Sequence, residues 1–188
     1  MTQEQPEKEL PQLPNPSDPA RTGCNDRGSE CKVRVELLHR ILDEVALLSH
    51  ENYKESAIDL GLGYDPDWDQ LLKYAVAEKC LTITARYNDV LIGYIIVLLG
   101  PFKHNKSIEY ADIETMYVNP SFRDAPTIFK MLHMMEDNLV GKIEFIACST
   151  PILSRIDTLF RYMKYKPVEI VLYKRLSGGS TETPSSTG

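Results

Sequence analysis

Apolar positions along the chain follow two rhythms, and the rhythm changes part-way. Leu38, Ile41, Leu42, Val45 and Leu48 recur three and four residues apart, which predicts an amphipathic helix from Val33 to about Tyr53. A second helix is expected to start at Asp65-Pro66. Asp65 is a natural N-cap, Pro66 suits the first helical position, and Asp67 and Asp69 favour the positive helix end. Its inner face reads Trp68, Leu71, Leu72, Ala75 and Val76. From Leu81 the period shortens to two, with Leu81, Ile83, Ala85 and Tyr87 alternating up to a turn at Asn88-Asp89. Val90 to Leu99 is apolar at odd and even positions alike, so the hairpin's second strand is expected to be central and covered on both faces.

The second half alternates strands and helices. After a polar loop, Phe102 to Ser107, a strand is expected over Ile108–Val118, ended by Asn119-Pro120. A helix from about Ala125 to Val140 follows, its face set by Ile128, Met131, Leu132, Met135 and Leu139. Then come a short buried strand over Ile143–Cys148, a helix over Pro151–Met163 and a last strand over Val168–Leu176. An antiparallel front half running into a β-α-β crossover is an α/β pattern that few topologies satisfy. The ends stand apart: five of the twelve prolines, Pro6, Pro11, Pro14, Pro16 and Pro19, lie in the first stretch. Too few large apolar groups accompany them to offset the entropy of ordering. Residues 1–32 therefore read as a disordered acidic tail, 33–176 as the folded domain, and 177–188 as a Gly/Ser/Thr-rich tail.

Charge and composition narrow the classes of function. A net charge of −6 gives no general drive toward nucleic acid or an anionic membrane. The longest apolar run, Val90 to Leu99, is too short for a bilayer and carries Gly93. Met1 to Glu9 has no apolar signal core, so a cytoplasmic location is expected. Cys24, Cys31, Cys80 and Cys148 show no metal-ligand spacing and read as plain thiols. No GxSxG, Cys-His pairing or Walker-type loop is present, which disfavours covalent and nucleotide hydrolysis.

The stretch Ile113-Glu-Thr-Met-Tyr-Val-Asn-Pro-Ser-Phe-Arg123 resembles the GNAT acyltransferase superfamily, in which a strand ending in V-x-P-x-x-R leads to a pyrophosphate-binding loop and a helix. Leu159 to Leu176 looks like the family's closing helix and strand. The likeness spans roughly residues 35–176. It tightens against GNAT-like proteins carried by tailed bacteriophages, through His50-Glu51-Asn52-Tyr53-Lys54-Glu55, Asp65-Pro66-Asp67-Trp68, Leu91-Ile92-Gly93-Tyr94 and Pro101…His104. The resemblance implies a GNAT-like mixed central sheet flanked by helices, with a first strand missing or very short at Val33–Val35. It also implies acetyl-CoA as cofactor and acetyl transfer to an amine acceptor, a small molecule or a protein. Main-chain groups of Met116, Tyr117 and Val118 would meet the pantetheine arm, and Arg123, Asp124, Ala125, Thr127 and Ile128 would form the pyrophosphate loop.

Glu114 is the candidate base by position, with Asp112 and Glu109 nearby; alternation puts Asp112 and Glu114 on one face. His104 is a further candidate for the acceptor side. Several positions depart from the family. Pro126 and Ile128 replace the two small residues of the loop, which removes one N–H and adds a branched side chain. Asp124 brings a negative charge to the place of an anionic ligand. Phe160 stands where a proton-donating tyrosine often sits, leaving Tyr162, or else Tyr173, as the candidate acid, and Lys164 replaces a glycine. These departures support an alternative: a catalytically degenerate GNAT-like module with a structural or host-interaction role in a bacteriophage, with a phage or host protein as partner.

Overall fold

A computed structural model of the chain describes residues 31–56, 63–150 and 155–174. Most of both tails and the start of the expected helix at Pro151 lie outside them. The chain divides into two compact units, residues 1–55 with 64–149, and residues 56–63 with 150–188.

The first unit is built on a five-stranded sheet in the order β1-β2-β3-β4-β5. The strands are β1 (Cys31–Val35), β2 (Cys80–Tyr87), β3 (Val90–Phe102), β4 (Asn105–Val118) and β5 (Phe145–Cys148). The first four pair antiparallel and β4 pairs β5 in parallel, so the sheet is mixed. The hairpin turn falls at Asn88 and Asp89, both with positive φ (50° and 63°), a backbone state that Asn and Asp tolerate better than most residues.

Helices cover both faces. On one, Leu38, Ile41, Val45 and Leu48 of α1 (Leu38–Ser56) cluster with Leu91, Tyr94, Ile96 and Tyr117, and α2 (Trp68–Val76) adds Trp68, Leu71 and Ala75. On the other, α3 (Ala125–Leu139) packs over β1 and β2 with Met131, Leu132, Met135 and Leu139 buried. Tyr94, Ile95, Ile96 and Val97 are each 0% exposed, which fits β3's expected place in the centre with both faces covered.

Four expectations need correction. Residues 31–35 form a strand, not the start of α1, and so Cys31 and Lys32 belong to the sheet and not to the tail. Helical spacing begins only at Leu38, and Val33 and Val35 gain cross-strand partners in Ala85 and Ile83. Asp67, not Asp65, caps α2: its side chain accepts from the Gln70 N–H, and α2 opens at Trp68. Val76 at the end of α2 is 78% exposed, not part of its inner face. The loop expected over 102–107 shrinks to Lys103-His104 between β3 and β4.

The second unit contains α4 (Arg155–Tyr162). Phe160 is buried there against the Tyr165 ring. The described part of the expected last strand, Val168 to Lys174, has no strand pairing, and Val168, Ile170 and Leu172 are exposed along with Val171 and Tyr173. The run is rich in strand-forming residues, but a strand forms only where a neighbouring strand takes up its backbone groups.

Candidate functional site

Two local features shape the sheet around the end of β4. Pairing with β5 runs from Tyr110/Phe145 to Ile113/Cys148 and goes no further. β4 continues to Val118 with β3 on one side only, so its other edge has no strand partner over Glu114–Val118 among the described residues. β4 thus runs past the end of β5, which stops at Cys148.

The second feature is a β-bulge. Ile96 faces Thr115 while Val97 faces Ile113, so Glu114 has no opposite residue on β3. The expected alternation fails at that point, and Glu114 and Thr115 sit side by side as the extra and the paired residue. Glu114 is an exposed residue. Desolvation by its surroundings, then the charge of Asp112, raise its carboxyl above the ordinary value. Because water reaches the residue, that shift counts for less than it would in a buried pocket.

Gly93 brings β3 close at the same point. A Cβ there would lie 2.9 Å from the Tyr117 carbonyl oxygen and 3.0 Å from Val118 Cγ2. Met116 faces Ile95, on the side covered by α3, and Tyr117 faces Tyr94, on the side of α1.

Arg123 follows the short turn Pro120–Phe122 and folds back onto the strand end. Its Nε and Nη2 donate to the Val118 carbonyl at 3.0 and 2.8 Å, and Nη2 also donates to Glu55 Oε2 at 2.8 Å. The guanidinium lies over the Tyr117 ring, 5.5 Å from its centroid. Tyr117 Oη donates to Glu55 Oε1 at 3.2 Å. Desolvation, then the Glu55 charge, push the Tyr117 phenol up to about 12, so it stays protonated and acts as a donor. One turn earlier on α1, Asn52 Nδ2 donates to Thr115 Oγ1 at 3.0 Å. The end of α1 is thereby stitched to the end of β4.

Asp124 is the N-cap of α3, and its carboxylate accepts from the Thr127 N–H at 2.8 Å. The Ile128 N–H goes to the Asp124 carbonyl at 3.3 Å. Pro126 has no N–H to offer. Ala125 is exposed, Thr127 buried and Ile128 half-buried.

The sequence-predicted residues thus fall in three places. Glu114, Met116, Tyr117, Val118, Arg123, Asp124, Ala125, Thr127 and Ile128 lie along one continuous path from the bulge to the helix start. Tyr162 belongs to the second unit, at the end of α4, and is 73% exposed. His104 lies at the β3–β4 turn, edge-on to Phe102. The sequence reading gave no role to Glu55 or Thr115. The only signal for Glu55 was its place in the helix-end motif His50–Glu55, since its partners lie more than 60 residues away.

No protein-family model matches the chain. No curated protein matches it either. Solved structures do. A GCN5-related N-acetyltransferase from Ralstonia eutropha superposes with a TM-score of 0.65 at 15% identity, over 78% of this chain and 99% of that one. The fold is the GNAT fold. The aminoglycoside N-acetyltransferase AAC(6')-Iy in complex with CoA matches at TM-score 0.60 and 17% identity, over 80% of this chain and 97% of that one. A predicted acetyltransferase with acetyl-CoA from Clostridium acetobutylicum matches at 0.58 and 17% identity, over 78% and 96%.

The GNAT fold implies acetyl-CoA, and the residues here answer its two ends differently. The unpartnered edge of β4 suits an extended arm bearing amide groups, which would continue the sheet. At the pyrophosphate end the chain's own groups are already engaged with one another. Thr127 and Ile128 have their N–H groups engaged by Asp124, and Arg123 is engaged by Glu55 and Val118. No helix among the described residues is long and apolar enough to cross a membrane.

Proposed function

We propose that the chain is an acetyl-CoA-dependent N-acetyltransferase acting on an amine acceptor, a small molecule or a protein. The observation that carries this reading is the stretch of β4 over Glu114–Val118, which runs past the end of β5 with no strand partner on that side among the described residues, beside the bulge at Glu114. When bound, acetyl-CoA supplies the activated acyl thioester. The chain's part is to bind and orient. Main-chain groups of Met116, Tyr117 and Val118, on β4 beyond its pairing with β5, hold an extended ligand in register. Glu114, raised toward the basicity of a proton acceptor, takes a proton from the protonated acceptor amine so that its lone pair is available. Tyr162 is the proposed donor of a proton to the leaving thiolate, in the place of Phe160. Arg123 and main-chain groups at the start of α3, over Asp124, Ala125, Thr127 and Ile128, are the proposed contacts of the pyrophosphate.

The likeness of the motif order to phage-carried members extends the proposal to a bacteriophage protein working in the host cytoplasm. The degenerate alternative, a module with a structural or host-interaction role, draws on the engaged helix start, and one assay separates the two. The full chain is incubated with acetyl-CoA and a panel of amines, and release of free CoA thiol is followed alongside the mass of the acceptor. Turnover is expected, and Glu114→Gln is expected to lower it by about a hundredfold. Absence of both acetyl-CoA binding and turnover at millimolar ligand would exclude the enzyme reading.

A further inference from the structure

The groups that would hold a pyrophosphate are not vacant; carboxylates of the chain itself already hold them. Two independent contacts show this. Asp124 fills the start of α3, with its Oδ1 2.8 Å from the Thr127 nitrogen. There it takes the favourable position for an anion at the positive end of a fifteen-residue helix. Glu55, from a different element, takes the Arg123 guanidinium at 2.8 Å and the Tyr117 hydroxyl at 3.2 Å. Arg123 is turned toward the strand end by the Val118 carbonyl as well. Asp124 and Glu55 therefore present one negative charge each where a di-anionic ligand would have to enter.

We infer that Glu55 and Asp124 are internal competitors for the cofactor's pyrophosphate, and that they set the affinity of this chain for acetyl-CoA. The inference rests on the acetyl-CoA reading above and adds to it the residues that govern cofactor entry. A ligand bearing pyrophosphate must displace the Asp124 side chain from the Thr127 N–H and compete with Glu55 for Arg123. A thioester lacking the nucleotide end meets neither obstacle. Both carboxylates act by charge and by occupancy, and substitution separates the two. Asp124→Asn removes the charge but keeps a capping oxygen, whereas Asp124→Gly also frees the N–H at little expected cost to the helix.

The test is calorimetric titration of the full-length protein with acetyl-CoA and, separately, with S-acetylpantetheine, which carries no pyrophosphate. Glu55→Gln and Asp124→Gly are each expected to tighten acetyl-CoA by about three- to tenfold, the size of helix-end and partly exposed ion-pair effects. Asp124→Asn should fall between the wild type and Asp124→Gly. S-acetylpantetheine should bind wild type and variants alike. The gain should shrink as salt is raised, because both groups are partly open to water. Melting curves check that each variant is folded. If S-acetylpantetheine and acetyl-CoA bind but the variants leave acetyl-CoA unchanged or weaker, the competition is overturned and the functional reading stands. If neither ligand binds any of the proteins, both fall together.

Discussion

Lys164 holds a φ of +73° just beyond α4, where its N–H and that of Tyr165 turn back to the Arg161 and Phe160 carbonyls. This is the helix-ending arrangement in which glycine is favoured, since a Cβ there costs about 1–2 kcal/mol. Lys164→Gly should therefore stabilise the folded chain, by about 1 kcal/mol once the greater freedom of glycine in the unfolded state is subtracted. A denaturant melt of the two proteins checks it, with a rise in midpoint at unchanged slope as the expected outcome. The departure at 164 was visible in the sequence, because the family's glycine is missing there. Its backbone cost was not visible, since a residue type alone does not give a φ. The same holds at Asp124. Its charge at the loop was visible in the sequence, whereas its role as the N-cap of α3 and the N–H it takes emerge only from the structure.

At the scale of elements, β1 shows how pairing overrides local pattern. Five residues at the sheet edge are held by β2 and by a cluster of charges between β1, α1 and the hairpin. Arg86, 6% exposed, donates to Glu36 and Glu44 and to the Asp89 carbonyl. Thr84 also donates to Glu36, at 2.6 Å. Desolvation alone would raise the Glu36 carboxyl, but the hydrogen bonds from Arg86 and Thr84 outweigh it and hold it below the ordinary 4.5. A carboxyl lowered by folding contributes stability that is fully present above its unfolded value and is lost as pH falls through the folded one. Stability should thus drop below about pH 4.5, and Glu36→Gln should flatten that part of the curve while lowering stability at neutral pH. Urea melts across pH 3 to 7 provide the measurement. None of this network was read from the sequence, because Glu36 and Arg86 lie 50 residues apart.

At the scale of the whole molecule, the order of strands decides where stability resides. β3 lies mid-sheet with helices on both faces, while among the described residues β1 and β5 are edge strands with a neighbour on one side only. Amide hydrogens of Ile92 to Val97 should exchange only with global unfolding, and those of β1 and β5 should exchange sooner, by local opening. Native-state exchange followed by mass spectrometry or NMR checks this ranking, and faster exchange in β3 than in β1 would contradict it. The apolar run at Val90–Leu99 already implied a central strand, because a strand apolar at every position must be covered twice.

The sequence by itself determined those features whose causes act over a few residues. They are the helical faces of α1 and α3, the Asn88-Asp89 turn and the apolar alternation of β2. Their physics is side-chain period, backbone preference and local hydrogen bonding, which three or four neighbours can satisfy. Motif order along the chain further pointed to the GNAT fold. Only the tertiary structure decided that residues 31–35 form a strand, that β4 bulges at Glu114 and runs past the end of β5 after Ile113, and that Glu55 closes on Arg123. Each of these depends on register or on contact between segments distant in the chain. Both are set by which faces must be buried together and which backbone groups find partners.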